Sequence, residues 1–224
     1  MRRRKVIIGI LALLLCGVLA WMFWPEKPEP VYKGRKLSEW LDQSAAQGGF
    51  SDGVTEAIQA IGTNGIPFYL HWTSYHPGLL KQVQLKLASQ NRNWLPTAWT
   101  PNDRFALRQQ RAFAALGQLG ERAVFAIPQL VASATNAADG GPRDRYVALL
   151  SMTLVEQMGR PGVTAILCLM TNDNYRVRSC AIIGAKGSRD LAVIARINGL
   201  TADPDPRVRR IATNLLQMMP TEWP

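Results

Sequence analysis

The sequence predicts an all-α protein: a right-handed α-α solenoid of helix pairs, preceded by one transmembrane helix. Three observations predict it. An arginine-headed apolar helix pattern is written twice near the C-terminus, as NYRVRSCAIIGAKG at residues 174–187 and as PRVRRIATNLLQMM at residues 206–219. A Gly-x-x-Gly mark recurs between apolar runs, at Gly62/Gly65, Gly117/Gly120, Gly159/Gly162 and Gly184/Gly187. An uncharged apolar run, VIIGILALLLCGVLAWMFW, fills residues 6–24 behind the basic head MRRRK. Self-similarity of this kind marks stacked repeats, and about 20 apolar residues cross the hydrocarbon core as a helix.

The N-terminal run comes first. Trp21, Phe23 and Trp24 close it with rings that prefer the headgroup level. PEKPEP then ends the helix and opens an extended spacer over 25–34, because proline cannot continue helical hydrogen bonding. The run reads as an uncleaved signal anchor. A cleaved signal would use the small residues at Val18-Leu19-Ala20, but the apolar stretch continues past them. A lipoprotein would use Cys16, which follows Leu15 where a small residue is wanted. Positive charge before the span favours a cytoplasmic N-terminus and a periplasmic soluble part, although Lys27, Lys33, Arg35 and Lys36 weaken the asymmetry.

The soluble part, 35–219, follows from periodicity. In the last copy Val208, Ile211, Ala212, Leu215, Leu216 and Met219 recur at helical spacing and form one apolar stripe. Pro206 suits the first turn, and Asp205 before it can cap the free N–H groups. Val177, Cys180, Ala181 and Gly184 form the corresponding face of the earlier copy, with Val177-Arg178 matching Val208-Arg209 at an offset of 31 residues. Each Gly-x-x-Gly mark predicts a helix closed by a left-handed glycine and a tight turn into a second helix. Two turn-rich stretches, 89–103 and 134–144, read as inserts without helical periodicity. The tail is 220–224.

The residues Asp173, Val177, Arg178, Ala181 and Gly184 in one copy, and Asp203 or Asp205, Val208, Arg209 and Ala212 in the other, resemble HEAT repeats. The short bacterial type called PBS-lyase-like HEAT repeats is the nearest resemblance. With YKGRKLSEWL after the spacer, the arrangement is similar to membrane-anchored bacterial HEAT-repeat proteins. The resemblance implies the solenoid fold and leaves the role open.

Helix geometry sets Arg209 at the rim of its stripe, where its stem can cover apolar surface and its head can reach a neighbouring acidic group or helix-end carbonyl. Arg178 and Arg209, with Asp173, Asp203 and Asp205 in the connecting turns, are therefore expected to fasten one repeat to the next.

Reactive constellations are sparse. The two histidines, His71 and His76, stand at i and i+5 without a carboxylate or cysteine beside them, so no metal site is expected. No phosphate-cradling glycine loop and no nucleophile elbow occur, so no enzyme activity and no cofactor are expected. Cys168 and Cys180 lie among apolar neighbours; a disulfide between them stays open in an oxidising compartment. The formal charge of +10, partly from Arg2, Arg3, Arg4 and Lys5, reads mainly as a solvated face. Aromatics cluster from Tyr69 to Trp99. Trp94 and Trp99, with Arg92 and Tyr75, are the candidate partner-binding residues, because aromatics and arginine are enriched at binding hot spots. The expected role is a membrane-anchored scaffold or adaptor for a protein partner in the bacterial cell envelope. Two alternatives remain: a HEAT-type enzyme or binder of a tetrapyrrole or metal, and a basic-groove nucleic-acid binder. The last helix, with nothing after it to cover its apolar face, is also expected to pair with a second copy of the chain.

Overall fold

In the computed structural model, residues 28–46, 49–75, 78 and 104–218 are described, and most of them are α-helical. The first element is a small hairpin. Strands β1 (Val31–Tyr32) and β2 (Arg35–Lys36) pair antiparallel through a two-residue turn in which Lys33 and Gly34 both have positive φ. That backbone matches the right-handed twist of a tight hairpin. The Trp40 indole donates to the Tyr32 carbonyl at 3.2 Å and Arg35 stacks 4.4 Å from the Trp40 ring, which ties the hairpin to the next helix.

The helices follow in order: α1 (Leu37–Ala46), α2 (Asp52–Ile61), α3 (Ile66–Thr73), α4 (Arg104–Leu119), α5 (Ile127–Ala137), α6 (Pro142–Glu156), α7 (Gly159–Leu169), α8 (Tyr175–Gly184), α9 (Leu191–Gly199) and α10 (Pro206–Met218). Short 3-10 turns at Gly62–Gly65, Gly120–Ala126 and Leu200–Ala202 link three of the junctions. Packing is mostly between near neighbours. On one side α4 meets α6, α6 meets α8 and α8 meets α10; on the other α5 meets α7 and α7 meets α9. The buried side chains form one continuous core from Leu37 to Leu215.

Local signals account for several of the helices. In α2, Val54, Ala57, Ile58 and Ile61 repeat at helical spacing and are all buried. The Asn174 side chain accepts from the Arg176 N–H at the start of α8, Asp190 accepts from Ala192 and Val193 at α9, and Asp205 accepts from Arg207 at α10. Pro67 and Pro128 stand in the first turns of α3 and α5, where a missing N–H costs nothing.

Several expectations change. The stretch 134–144 is mainly helix, not insert: α5 runs through Ala137 and α6 starts at Pro142, leaving a four-residue turn. The turn signals in ATNAADGGPRD are real, but Ala134 and Ala138 are buried and continue the helical stripe that the polar residues disguise. The glycine marks divide into two kinds. Gly62, Gly120 and Gly159 do carry positive φ, whereas neither glycine of the fourth mark does. Gly184 instead lets helices touch: a Cβ there would stand 2.7 Å from the Met152 Cβ and 3.1 Å from the backbone of Met152 and Thr153 on α6. Cys168 and Cys180 are free thiols, the first exposed and the second buried, so no disulfide joins them. Of the α10 stripe, Val208, Ala212 and Leu215 are buried and Ile211 and Leu216 are half-buried, while neighbouring Met218 stays 62% exposed. Among the described residues no helix is long and apolar enough to cross a membrane. Residues 6–24, the first insert at 89–103, and Arg92, Trp94, Trp99, His76 and Met219 lie outside the described residues.

Candidate functional site

The turns before α8 and α10 are built alike. Before α8, the Asn174 N–H donates to the Asn172 side chain at 2.9 Å, and Arg178 Nη1 donates to the carbonyls of Asn172 and Asp173 at 2.7 and 2.9 Å. Before α10, the Asp205 N–H donates to the Asp203 side chain at 2.8 Å, and Arg209 Nη1 donates to the carbonyls of Asp203 and Pro204 at 2.8 and 3.0 Å. Asn172, Asn174, Arg176 and Arg178 thus correspond one by one to Asp203, Asp205, Arg207 and Arg209, all 31 residues on. Arginine suits this place because its forked donors can serve two carbonyls and a carboxylate at once.

The two turns are joined through Arg178. Its Nε and Nη2 grip both oxygens of Asp203 at 2.9 and 2.8 Å, with side chains only 10% and 3% exposed. The Asp203 carboxyl sits below its ordinary range. Burial alone would raise it, but hydrogen bonds from Arg178 and from the Asp205 N–H outweigh burial. Arg209, by contrast, serves its own turn and lies exposed. Asp173 gives its backbone carbonyl, and its side chain is exposed. Asp205 caps α10 and pairs with Arg207 on the same helix. Of the fastener set, Arg178 and Asp203 are the pair whose side chains meet between turns. Asparagines stand in the first turn where the second has acids, and the 31-residue offset carried through the turn finds them, since an amide oxygen makes the same local acceptor.

Beside these turns lies an open groove. A groove of about 490 Å³ opens between α6, α8 and α10. Leu149, Cys180, Ile183 and Ile211 give it an apolar lining, and Arg145, Arg176, Arg207 and Arg210 stand around it. Tyr175 lies under two of them: Arg207 is 3.5 Å and Arg176 5.4 Å from its ring centre, and Arg207 Nη1 donates to its hydroxyl at 2.7 Å. Arg176 is held by Asp139 at 2.9 Å and Arg207 by Asp205 at 2.8 Å. Among the described residues Arg145 and Arg210 have no carboxylate within ion-pair distance. Among the described residues the Ser179 hydroxyl, buried in the groove wall, also finds no hydrogen-bond partner. Burial pushes the Cys180 thiol up, with Arg145 pulling the other way. A thiol-selective maleimide, followed by peptide mapping, is therefore expected to modify exposed Cys168 well before Cys180.

Tyr75, from the aromatic set, follows α3. Its carbonyl accepts from Gln109 at 3.2 Å, and with His71, Trp72, Ser74 and Arg108 it lines a smaller cleft of about 240 Å³. Among the described residues no group of three His, Cys, Asp or Glu side chains could hold a metal.

Acid sensitivity follows from the turn chemistry. Asp203 and Asp139 lie below the ordinary carboxylate range, and the Arg207 hydrogen bond draws Asp205 down to about 2. A carboxyl depressed by folding stabilises above its unfolded value, near 3.9, and that stabilisation is lost as pH falls through the folded value. Urea midpoints are expected to be flat from pH 7 to about 5 and to drop steeply between about 4 and 2. The chain matches no family model and no curated protein.

Proposed function

We propose that this chain is a membrane-anchored adaptor: a right-handed solenoid of HEAT-like helix pairs, held by residues 6–24, that docks a protein partner in the bacterial cell envelope. The observation that carries this reading is the arginine-rimmed apolar groove between α6, α8 and α10, a shape suited to another protein's side chains. The matching turns before α8 and α10 support the repeat reading, because the same arginine-to-carbonyl hydrogen bonds recur at a fixed offset, and Arg178 links the two turns through Asp203. The apolar run before the spacer supports the anchor, and the basic head supports a periplasmic soluble part.

Proximity labelling in intact cells, with the labelling enzyme fused after residue 224, tests the reading. Reproducible labelling of a small set of periplasmic or inner-membrane proteins is the expected result. Labelling of cytoplasmic proteins alone, or a stoichiometric metal or chromophore in the purified full chain, would replace it with another function.

A further inference from the structure

We propose that the groove between α6, α8 and α10 receives an acidic protein segment carrying one large apolar anchor residue. This rests on the reading of the chain as an interaction module and names the chemistry of its partner. Charge is the first argument. Four arginines surround the groove, Asp139 and Asp205 answer Arg176 and Arg207, and Arg145 and Arg210 keep their charge unanswered among the described residues. Two exposed guanidiniums flanking an apolar trough match carboxylates on either side of a buried side chain.

The wall of the groove is the second argument. Ser179 lies in that wall with its hydroxyl buried and, among the described residues, without a hydrogen-bond partner. Ile183, 41% exposed on the last turn of α8, offers apolar surface that is not covered within the chain. Leu149 and Ile211 extend the same lining from α6 and α10.

The third argument separates a peptide from nucleic acid. Single strands are held by aromatic platforms that stack on bases. Here the lining is aliphatic, and the one aromatic ring, Tyr175, is already covered by Arg207. The groove therefore suits an aliphatic or phenyl anchor between acids better than a run of bases.

Fluorescence anisotropy tests this on the full chain in detergent micelles. The probe is a labelled eight-residue peptide of Asp and Glu with a central Leu-Phe. Expected are saturable binding, loss of at least about tenfold in affinity on the double change Arg145→Glu and Arg210→Glu, and a similar loss for a probe whose Leu-Phe is Ser-Ser. The charge-reversed protein should in turn gain affinity for a Lys version of the probe. Ile183→Asp, at an exposed position, should weaken the acidic probe without altering the helical circular dichroism. Three results would overturn the proposal: no binding of the acidic probe at millimolar concentration, binding indifferent to both variants, or binding through Arg145 and Arg210 of single-stranded DNA or phosphatidylglycerol vesicles in its place. If proximity labelling still returns the same envelope proteins from the charge-reversed variant, the groove assignment falls while the adaptor reading stands. If the acidic probe binds as expected and labelling returns only cytoplasmic proteins, the envelope role falls while the groove assignment stands.

Discussion

Arg178→Ala is expected to destabilise the fold by about 3–5 kcal/mol, the usual loss when one member of a buried ion pair is removed. The reason is what remains behind. The Asp203 carboxylate, 3% exposed, would keep only the Asp205 N–H as a donor, and the carbonyls of Asn172 and Asp173 would lose theirs. Water cannot easily replace the guanidinium, because the pair is buried where the α8 turn meets the α10 turn. Arg209→Ala is the internal comparison. Its head group bonds two carbonyls of its own turn in an exposed setting, so its removal should shift the urea midpoint far less. Asp203→Asn should fall between them, since an amide oxygen still accepts from Asp205 while the charge is lost. Denaturation curves for the three variants make the check. An Arg178→Ala loss no larger than that of Arg209→Ala would mean the buried pair does not hold the turns together.

Gly184→Leu is expected to cost about 3 kcal/mol, at the upper end for overpacking. The first atom of any side chain at this position would meet the Met152 Cβ at 2.7 Å and the backbone of Met152 and Thr153 at 3.1 Å. Helices α6 and α8 would have to move apart along a core of Val177, Cys180 and Ala181, which are all buried. Truncating the neighbour does not relieve this. Met152→Ala keeps its Cβ and main chain, so the double variant Gly184→Leu with Met152→Ala should be less stable than Gly184→Leu alone. Full recovery in that double variant would place the conflict in the Met152 side chain and contradict the close helix approach. Thermal melts of the single and double variants decide between the two.

The C-terminal helices were readable because their signals are local and repeated. Val208, Ala212 and Leu215 are buried as the stripe requires, and α10 starts at the proline that the capping pattern named. The Arg178–Asp203 contact could be anticipated in kind, since a buried arginine needs an acid and the turns supply acids. Which acid it would take could not: Asp173, Asp203 and Asp205 look alike in sequence, and only the packing of α8 on α10 sets Asp203 within reach. The helix across 134–144 was hidden because Asn, Asp and Gly are turn formers whose local preference is overridden once Ala134 and Ala138 are buried. The groove escaped notice for a different reason. Arg145, Arg176, Arg207 and Arg210 lie on three helices and read singly as solvated charge; their convergence is a property of the stacking alone. Tyr175 shows the same limit, as nothing in its neighbourhood along the chain announces that Arg207 will lie over it.

The connector ahead of α10 is self-sufficient. It satisfies its own carbonyls with an arginine from the helix it launches, and it presents a carboxylate to the helix behind. The connector ahead of α8 shares the carbonyl clamp but carries Asn172 where the later one carries Asp203, so of the two joints it is the later that reaches backward with a charge.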